Sequence, residues 1–163
     1  MRQLKAKPDM QGITTISETM TRMRILVGRR VVSRMAVQKM DTVLDLGDTD
    51  VLKAVKWIAE EDEVTVGAIA EMMRIDPSRG SRLVSDLVRK GMLRRAVSQK
   101  DARRTVVELT DQATAYFEKA DQAKREIVQE ITKDWSEDDI ARFGEMFARF
   151  VAEFENIAKT NGV

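Results

Sequence analysis

Cysteine and histidine are both absent from this chain, and the two gaps remove several kinds of chemistry at once. Without cysteine there is no disulfide and no thiol-based peroxide sensing. Without histidine, a transition-metal site would need carboxylates alone, and a histidine pH switch is unavailable. The same gaps remove the commonest catalytic bases and nucleophiles. No serine–lysine or carboxylate pair stands out among the many surface acids, so no catalytic residue is assigned and an enzyme is not expected. The glycines form no phosphate-binding loop, and no cofactor or metal is expected. No apolar run is long enough to span a bilayer, and the N-terminus lacks a signal-peptide core. The expected setting is therefore the cytoplasm, without a membrane partner.

What is present is 163 residues, enough for one compact protomer with a core, and a net charge of +1 that conceals an ordered distribution. Residues 1–39 hold nine cations and two anions, and residues 40–73 hold two and nine. Residues 74–104 hold ten and three, and residues 105–163 hold seven and thirteen. By itself a basic block is a solvated face; its meaning depends on the elements that carry it.

Those elements lie between Val64 and Thr110. Thr65 is a cap for a short helix in which Val66, Ile69, Ala70 and Met73 recur at helical spacing. Asp76 then interrupts the pattern. Its side chain suits the open backbone N–H groups of a new helix, and Pro77 follows at the first helical position, where no donor is required. The second helix is predicted from Pro77 to about Lys90. Leu83, Val84, Leu87 and Val88 form its packing stripe, while Ser78, Arg82, Ser85 and Arg89 form an opposite polar stripe at intervals of four, three and four. Gly91 is placed as a left-handed stop. Leu93 to Val97 and Thr105 to Leu109 are β-compatible runs joined by a polar loop containing Lys100, Asp101, Arg103 and Arg104. They predict a hairpin with a long tip rather than a two-residue turn.

Elsewhere, residues 1–12 read as a basic flexible tail. Ile16, Met20, Met23, Val27, Val31 and Met35 predict one helix from about Ile13 to Met40. Asp48 or Thr49 is the expected cap of a helix carrying Val51, Leu52, Val55, Ile58 and Ala59. The run Glu60-Glu61-Asp62-Glu63 opposes the macrodipole at that helix's end and is expected as a solvated loop. It does not match a calcium loop. Ala113, Phe117, Ala120, Ile127 and Ile131 mark a long helix. Ser136 opens a final helix with a capping-box-like start. That helix gathers Ile140, Phe143, Phe147, Phe150, Val151, Phe154 and Ile157 on one broad face, a surface that needs a partner.

The order of these elements resembles the MarR family of bacterial transcriptional regulators over nearly the whole chain. The local matches are Asp76-Pro77-Ser78 with Arg82-Leu83-Val84, then Leu87, Gly91 and Leu93-Arg94-Arg95, and finally Asp101-Ala102-Arg103 with Val107-Glu108-Leu109-Thr110. Ser98 and Lys100 stand where the family's wing often has an Asp and an Arg. The expected fold is mainly α with a small antiparallel β-wing: a winged helix-turn-helix with long N- and C-terminal dimerisation helices. The expected boundaries are the tail at 1–12, an N-terminal dimerisation helix at 13–46, the DNA-binding lobe at 47–110 and C-terminal dimerisation helices at 111–163.

The resemblance implies a homodimer binding double-stranded DNA at a pseudo-palindromic operator, acting as a repressor. Ser78, Arg79, Ser81, Arg82, Ser85 and Arg89 are the major-groove candidates; Lys100, Asp101, Arg103 and Arg104 are the wing candidates, with Asp101 holding Arg103 toward the minor groove. Ile16, Met20, Phe143, Phe147, Phe150 and Phe154 are dimerisation candidates. Basic Arg22, Arg24, Arg29, Arg30 and Arg34 are expected to face acidic C-terminal helices. A small-molecule effector site, of unknown ligand, is implied between the dimerising helices and the lobe. Met20, Met23, Met35 and Trp57 are its candidate liners, and the plain alternative for them is core packing. The different-class alternative for the whole chain is a winged-helix protein-interaction module that dimerises without reading bases.

Overall fold

The computed structural model describes residues 9–162, so residues 1–8 of the expected tail lie outside the described residues. The element order is α1 (Met10–Gly28), α2 (Val31–Lys39), α3 (Leu46–Ala59), α4 (Val66–Met72), α5 (Pro77–Arg89), β1 (Leu93–Val97), β2 (Thr105–Leu109), α6 (Asp111–Ile131) and α7 (Glu137–Thr160). The chain is mainly helical with a two-stranded antiparallel sheet, as expected. It divides between Lys124 and Arg125 into two compact units.

The first unit departs from the sequence reading at its start. Asp9 caps α1 by accepting the Gln11 N–H, so the helix begins at Met10 rather than Ile13. The single helix expected to Met40 is broken at Arg30, whose φ of 55° lies in the left-handed region. A residue with a Cβ adopts that conformation only at a cost of roughly 1–2 kcal/mol. Two contacts hold it there. The Arg30 guanidinium donates to the Asp50 carboxylate at 2.7 Å and to the Leu46 carbonyl at 3.3 Å. Arg30 thus has a carboxylate partner within its own unit. The cap of α3 also differs: Asp45 accepts the Asp48 N–H at 2.7 Å and Asp48 accepts the Asp45 N–H at 3.0 Å, a reciprocal box that satisfies two backbone donors.

From α4 onward the local signals act as read. Thr65 accepts the Ala68 N–H, Asp76 caps α5, and Gly91 adopts φ 75° after the last turn. The hairpin pairs Leu93 with Leu109 through Val97 with Thr105. The Val107 N–H also donates to the Val64 carbonyl at 2.8 Å, tying β2 to the segment before α4. The core of this unit joins Val51, Leu52 and Val55 of α3, Ile69 of α4, Val84 and Leu87 of α5, Leu93 and Val107 of the hairpin, and Tyr116 of α6. The one buried tyrosine does not leave its hydroxyl bare: it shares a 2.6 Å hydrogen bond with the Thr49 hydroxyl.

In the second unit, Ser136 caps α7 through the Asp139 N–H at 3.1 Å. Trp135 and Phe143 pack edge to face, and Phe143 stacks on Phe147 at 5.5 Å between ring centroids. No residue of α7 is buried.

Candidate nucleic-acid interface

The two faces of α5 have opposite fates. Gly80, Val84 and Leu87 are buried, whereas Ser78, Arg79, Ser81, Arg82, Ser85 and Arg89 are exposed. Burial of the apolar stripe therefore fixes which side chains point outward. A Cβ on Gly80 would stand 3.1 Å from the Ala70 Cβ, so this glycine allows α4 and α5 to approach closely. At the start of α5 the Asp76 carboxylate accepts from the Ser78 hydroxyl and from the Ser78 and Arg79 N–H groups. Those bonds, the Ser78 hydroxyl foremost, hold its carboxyl below the usual carboxylate range. An open groove of about 490 Å³ is lined by Arg79, Arg82, Leu83, Asp86 and Arg89.

Partners within the chain distinguish the polar residues of this face. Arg89 pairs with Asp86, and Ser85 accepts a 3.1 Å hydrogen bond from Arg95 of β1. Arg79 and Arg82 make no salt bridge among the described residues. Sequence reasoning missed Arg95. No local signal marked it: strand alternation puts Arg95 on the same face as buried Leu93, yet it is exposed. Behind α5, Lys90 donates to Asp48 of α3 and to Asp86, both at 2.7 Å. These bonds, Asp48 first, raise the lysine above its ordinary value against the opposing effect of burial.

The wing is held from outside itself. Ser98, only 4% exposed, donates its hydroxyl proton to Glu63 at 2.5 Å. The second Glu63 oxygen accepts the Gln99 N–H at 2.7 Å. The Ser98 oxygen in turn accepts the Lys100 and Asp101 N–H groups at 3.1 and 3.0 Å. These contacts, led by the Ser98 hydroxyl, keep the Glu63 carboxyl below its usual range. Glu63 is half-buried, which corrects the expectation that the whole acidic run is a solvated loop.

Two wing residues have unexpected partners. Lys100 pairs with Asp62 at 2.5 Å, so that cation is engaged by its own chain. The Asp101 carboxylate accepts the backbone N–H of Arg103 at 2.9 Å, whereas the resemblance implied a hold on the arginine itself. Arg103 and Arg104 are exposed, and neither forms a salt bridge among the described residues.

The remaining candidates are exposed. Met20, Met23 and Met35 are exposed and Trp57 is 67% exposed, so none is a core residue. Ile16 is exposed on α1; Phe143, Phe147, Phe150 and Phe154 are exposed on α7. Among the described residues no group of acids is arranged to hold a metal, and no helix is long and apolar enough to cross a membrane.

Residues 52–104, spanning α3 through the wing loop, match the MarR family model. The structure is similar to a MarR family protein from Bacillus stearothermophilus, with TM-score 0.61 and 15% identity over 91% of this chain and 99% of that one. It is similar to a transcriptional regulator from Thermotoga maritima, with TM-score 0.68 and 17% identity over 91% and 96%. It is also similar to a MepR variant from S. aureus bound to an oligodeoxyribonucleotide, with TM-score 0.61 and 18% identity over 85% and 97%. None of the curated proteins matches the chain in sequence.

Proposed function

We propose that this chain, which carries a MarR family segment from α3 through the wing loop and shares its fold with MarR family proteins, is a homodimeric, sequence-specific DNA-binding regulator. The observation that carries the reading is the outward face of α5. It presents Arg79 and Arg82, without salt bridges among the described residues, beside a hairpin tipped by Arg103 and Arg104. An α-helix fits the major groove, and arginine is the side chain best suited to a bidentate contact with guanine. The MepR variant's complex with an oligodeoxyribonucleotide supports the same use of the fold. In this reading Ser78, Arg79, Ser81 and Arg82 meet base edges, with Arg82 the leading base reader. Ser85 and Arg89 line the groove, and Arg103 and Arg104 enter the adjacent minor groove.

The dimer belongs to the same reading. Exposed Phe143, Phe147, Phe150 and Phe154 form a continuous apolar face on α7, and a second copy with Ile16 and Met20 of α1 covers such surface. Two symmetry-related copies of α5 then require a pseudo-palindromic operator, with half-sites about one helical turn apart or a multiple of it. Repression, relieved by a small molecule held near Met20, Met23, Met35 and Trp57, completes the proposal.

The test is an electrophoretic shift on fragmented genomic DNA with competitor, followed by selection of the retained fragments. Saturable, sequence-selective retardation supports the regulator. Weak retardation abolished by salt instead supports the protein-interaction module. On the selected fragment, Arg82→Ala removes about 1–3 kcal/mol of discrimination, so it weakens that fragment far more than random duplex. Equal losses on both make Arg82 a phosphate contact.

A further inference from the structure

The proposed minor-groove contact requires the wing tip to have a defined position, yet its cationic residues are exposed on a seven-residue loop between the strands. A loop of this kind keeps its conformation only if its backbone donors find fixed partners. Here they do, and the fixed point is Glu63, in the segment between α3 and α4. One carboxylate oxygen takes the Ser98 hydroxyl and the other takes the Gln99 N–H, at 2.5 and 2.7 Å. With its proton committed to Glu63, the Ser98 oxygen accepts from the next two backbone donors, Lys100 and Asp101. The Ser98 N–H donates to the Arg104 carbonyl at 2.9 Å, and the Arg104 N–H to the Asp101 carbonyl at 2.9 Å. Asp101 then fixes the Arg103 N–H.

We propose that Glu63 is the positioning residue of the wing: through Ser98 and Asp101 it sets where Arg103 and Arg104 stand, although it touches neither and would itself repel DNA. The inference rests on the DNA-binding reading above. It assigns a role to an acid that simple electrostatics counts as unfavourable. Asp62, one residue earlier, is the built-in contrast. It is exposed, and among the described residues its carboxylate accepts from the Lys100 side chain and the Glu63 N–H and attracts Arg104, so its removal releases cations without dismantling the loop.

The experiment uses the full chain and the duplex recovered by selection, its central sequence constant and its flanks made either A·T or G·C. Narrow A·T-rich minor grooves attract a positioned arginine, whereas diffuse charge acts similarly on all DNA. Glu63→Ala is expected to weaken binding to the A·T-flanked duplex on the order of tenfold, which is about 1.4 kcal/mol. It affects the G·C-flanked duplex less and leaves discrimination at the α5-contacted bases unchanged. Ser98→Ala, which keeps the carboxylate, shifts binding in the same direction, and Asp62→Ala tightens binding on both flanks. In the free protein, the amides of Gln99, Lys100 and Asp101 exchange faster in Glu63→Ala while those of α3 and α5 do not. An unchanged exchange pattern, or a Glu63→Ala variant that tightens both duplexes as Asp62→Ala does, overturns the proposal. If the unmutated protein shows no sequence-selective binding, the DNA-binding reading fails and takes this role with it. If the unmutated protein prefers A·T flanks and Glu63→Ala retains that preference in full, only the positioning role fails.

Discussion

Lys90→Met tests what anchors α5 to the rest of the lobe. The Lys90 ammonium bridges two carboxylates at 2.7 Å, but they differ in their access to water: the Asp48 side chain is 7% exposed and that of Asp86 is 31% exposed. A well-solvated pair contributes about 0–1 kcal/mol. A bond to a charged group that is sheltered from water contributes about 1.5–3 kcal/mol, and stranding its partner adds desolvation. Methionine keeps most of the aliphatic bulk, so the substitution chiefly removes the charge. The expected loss is about 2–3 kcal/mol, against no more than about 1 kcal/mol for Asp86→Ala. Adding Asp48→Asn should recover part of the Lys90→Met loss, because the stranded charge is then gone.

The pH dependence has a definite sign. Lys90 is raised in the folded protein, so its contribution is complete below the unfolded lysine value near pH 10.4 and is lost as pH rises through the still higher folded value. Denaturant unfolding at pH 7, at one fixed protein concentration, measures these differences. Equal losses for Lys90→Met and Asp86→Ala, or no recovery in the double variant, would refute the reasoning from burial.

Gly80→Val is expected to lose about 1–3 kcal/mol by overpacking against Ala70, while Gly80→Ala stays within about 1 kcal/mol because its helix-propensity gain offsets the 3.1 Å contact; thermal melts of both decide this. Phe147→Glu should give monomers or aggregates in sedimentation, and a stable folded monomer of the unmutated protein at micromolar concentration would contradict the dimer. Arg103→Ala should weaken binding, flatten the preference for A·T flanks and lower the salt slope by roughly 0.9 if a phosphate contact is also lost, as titrations at several salt concentrations would show. The wing clamp should persist from neutral pH down to the carboxylate range. Glu63 is lowered, so its contribution is present above its unfolded value and disappears only as pH falls through the lower folded one; amide exchange on acidification checks it.

The parts of the fold that were legible in the sequence are those decided by neighbours in the chain. Asp76 with Pro77, Thr65, Gly91 and Ser136 mark their boundaries because a cap is satisfied within three residues. The two stripes of α5 were visible for the same reason. The break at Arg30 was not, because the apolar positions from Ile16 to Met35 keep helical spacing across it. What stabilises the left-handed residue is Asp50, twenty positions away. Asp45 was hidden by Gly47, which reads as a breaker although it lies in the first turn of α3. Likewise Glu63 sits in a run of acids that local charge logic assigns to water. Its partners Ser98 and Gln99 come close only after the hairpin has folded back.

Because β2 borrows a hydrogen bond from the Val64 carbonyl and the loop beyond β1 closes on Glu63, the hairpin is not a self-contained cassette. A chimera built by exchanging only the segment from Leu93 to Leu109 would separate both from the acceptors they fold against. An exchanged segment keeps both acceptors only if it begins no later than Asp62. Glu63, Val64, Ser98 and Asp101 must then be inherited together, whereas the exposed positions Gln99 and Ala102 can diversify more freely.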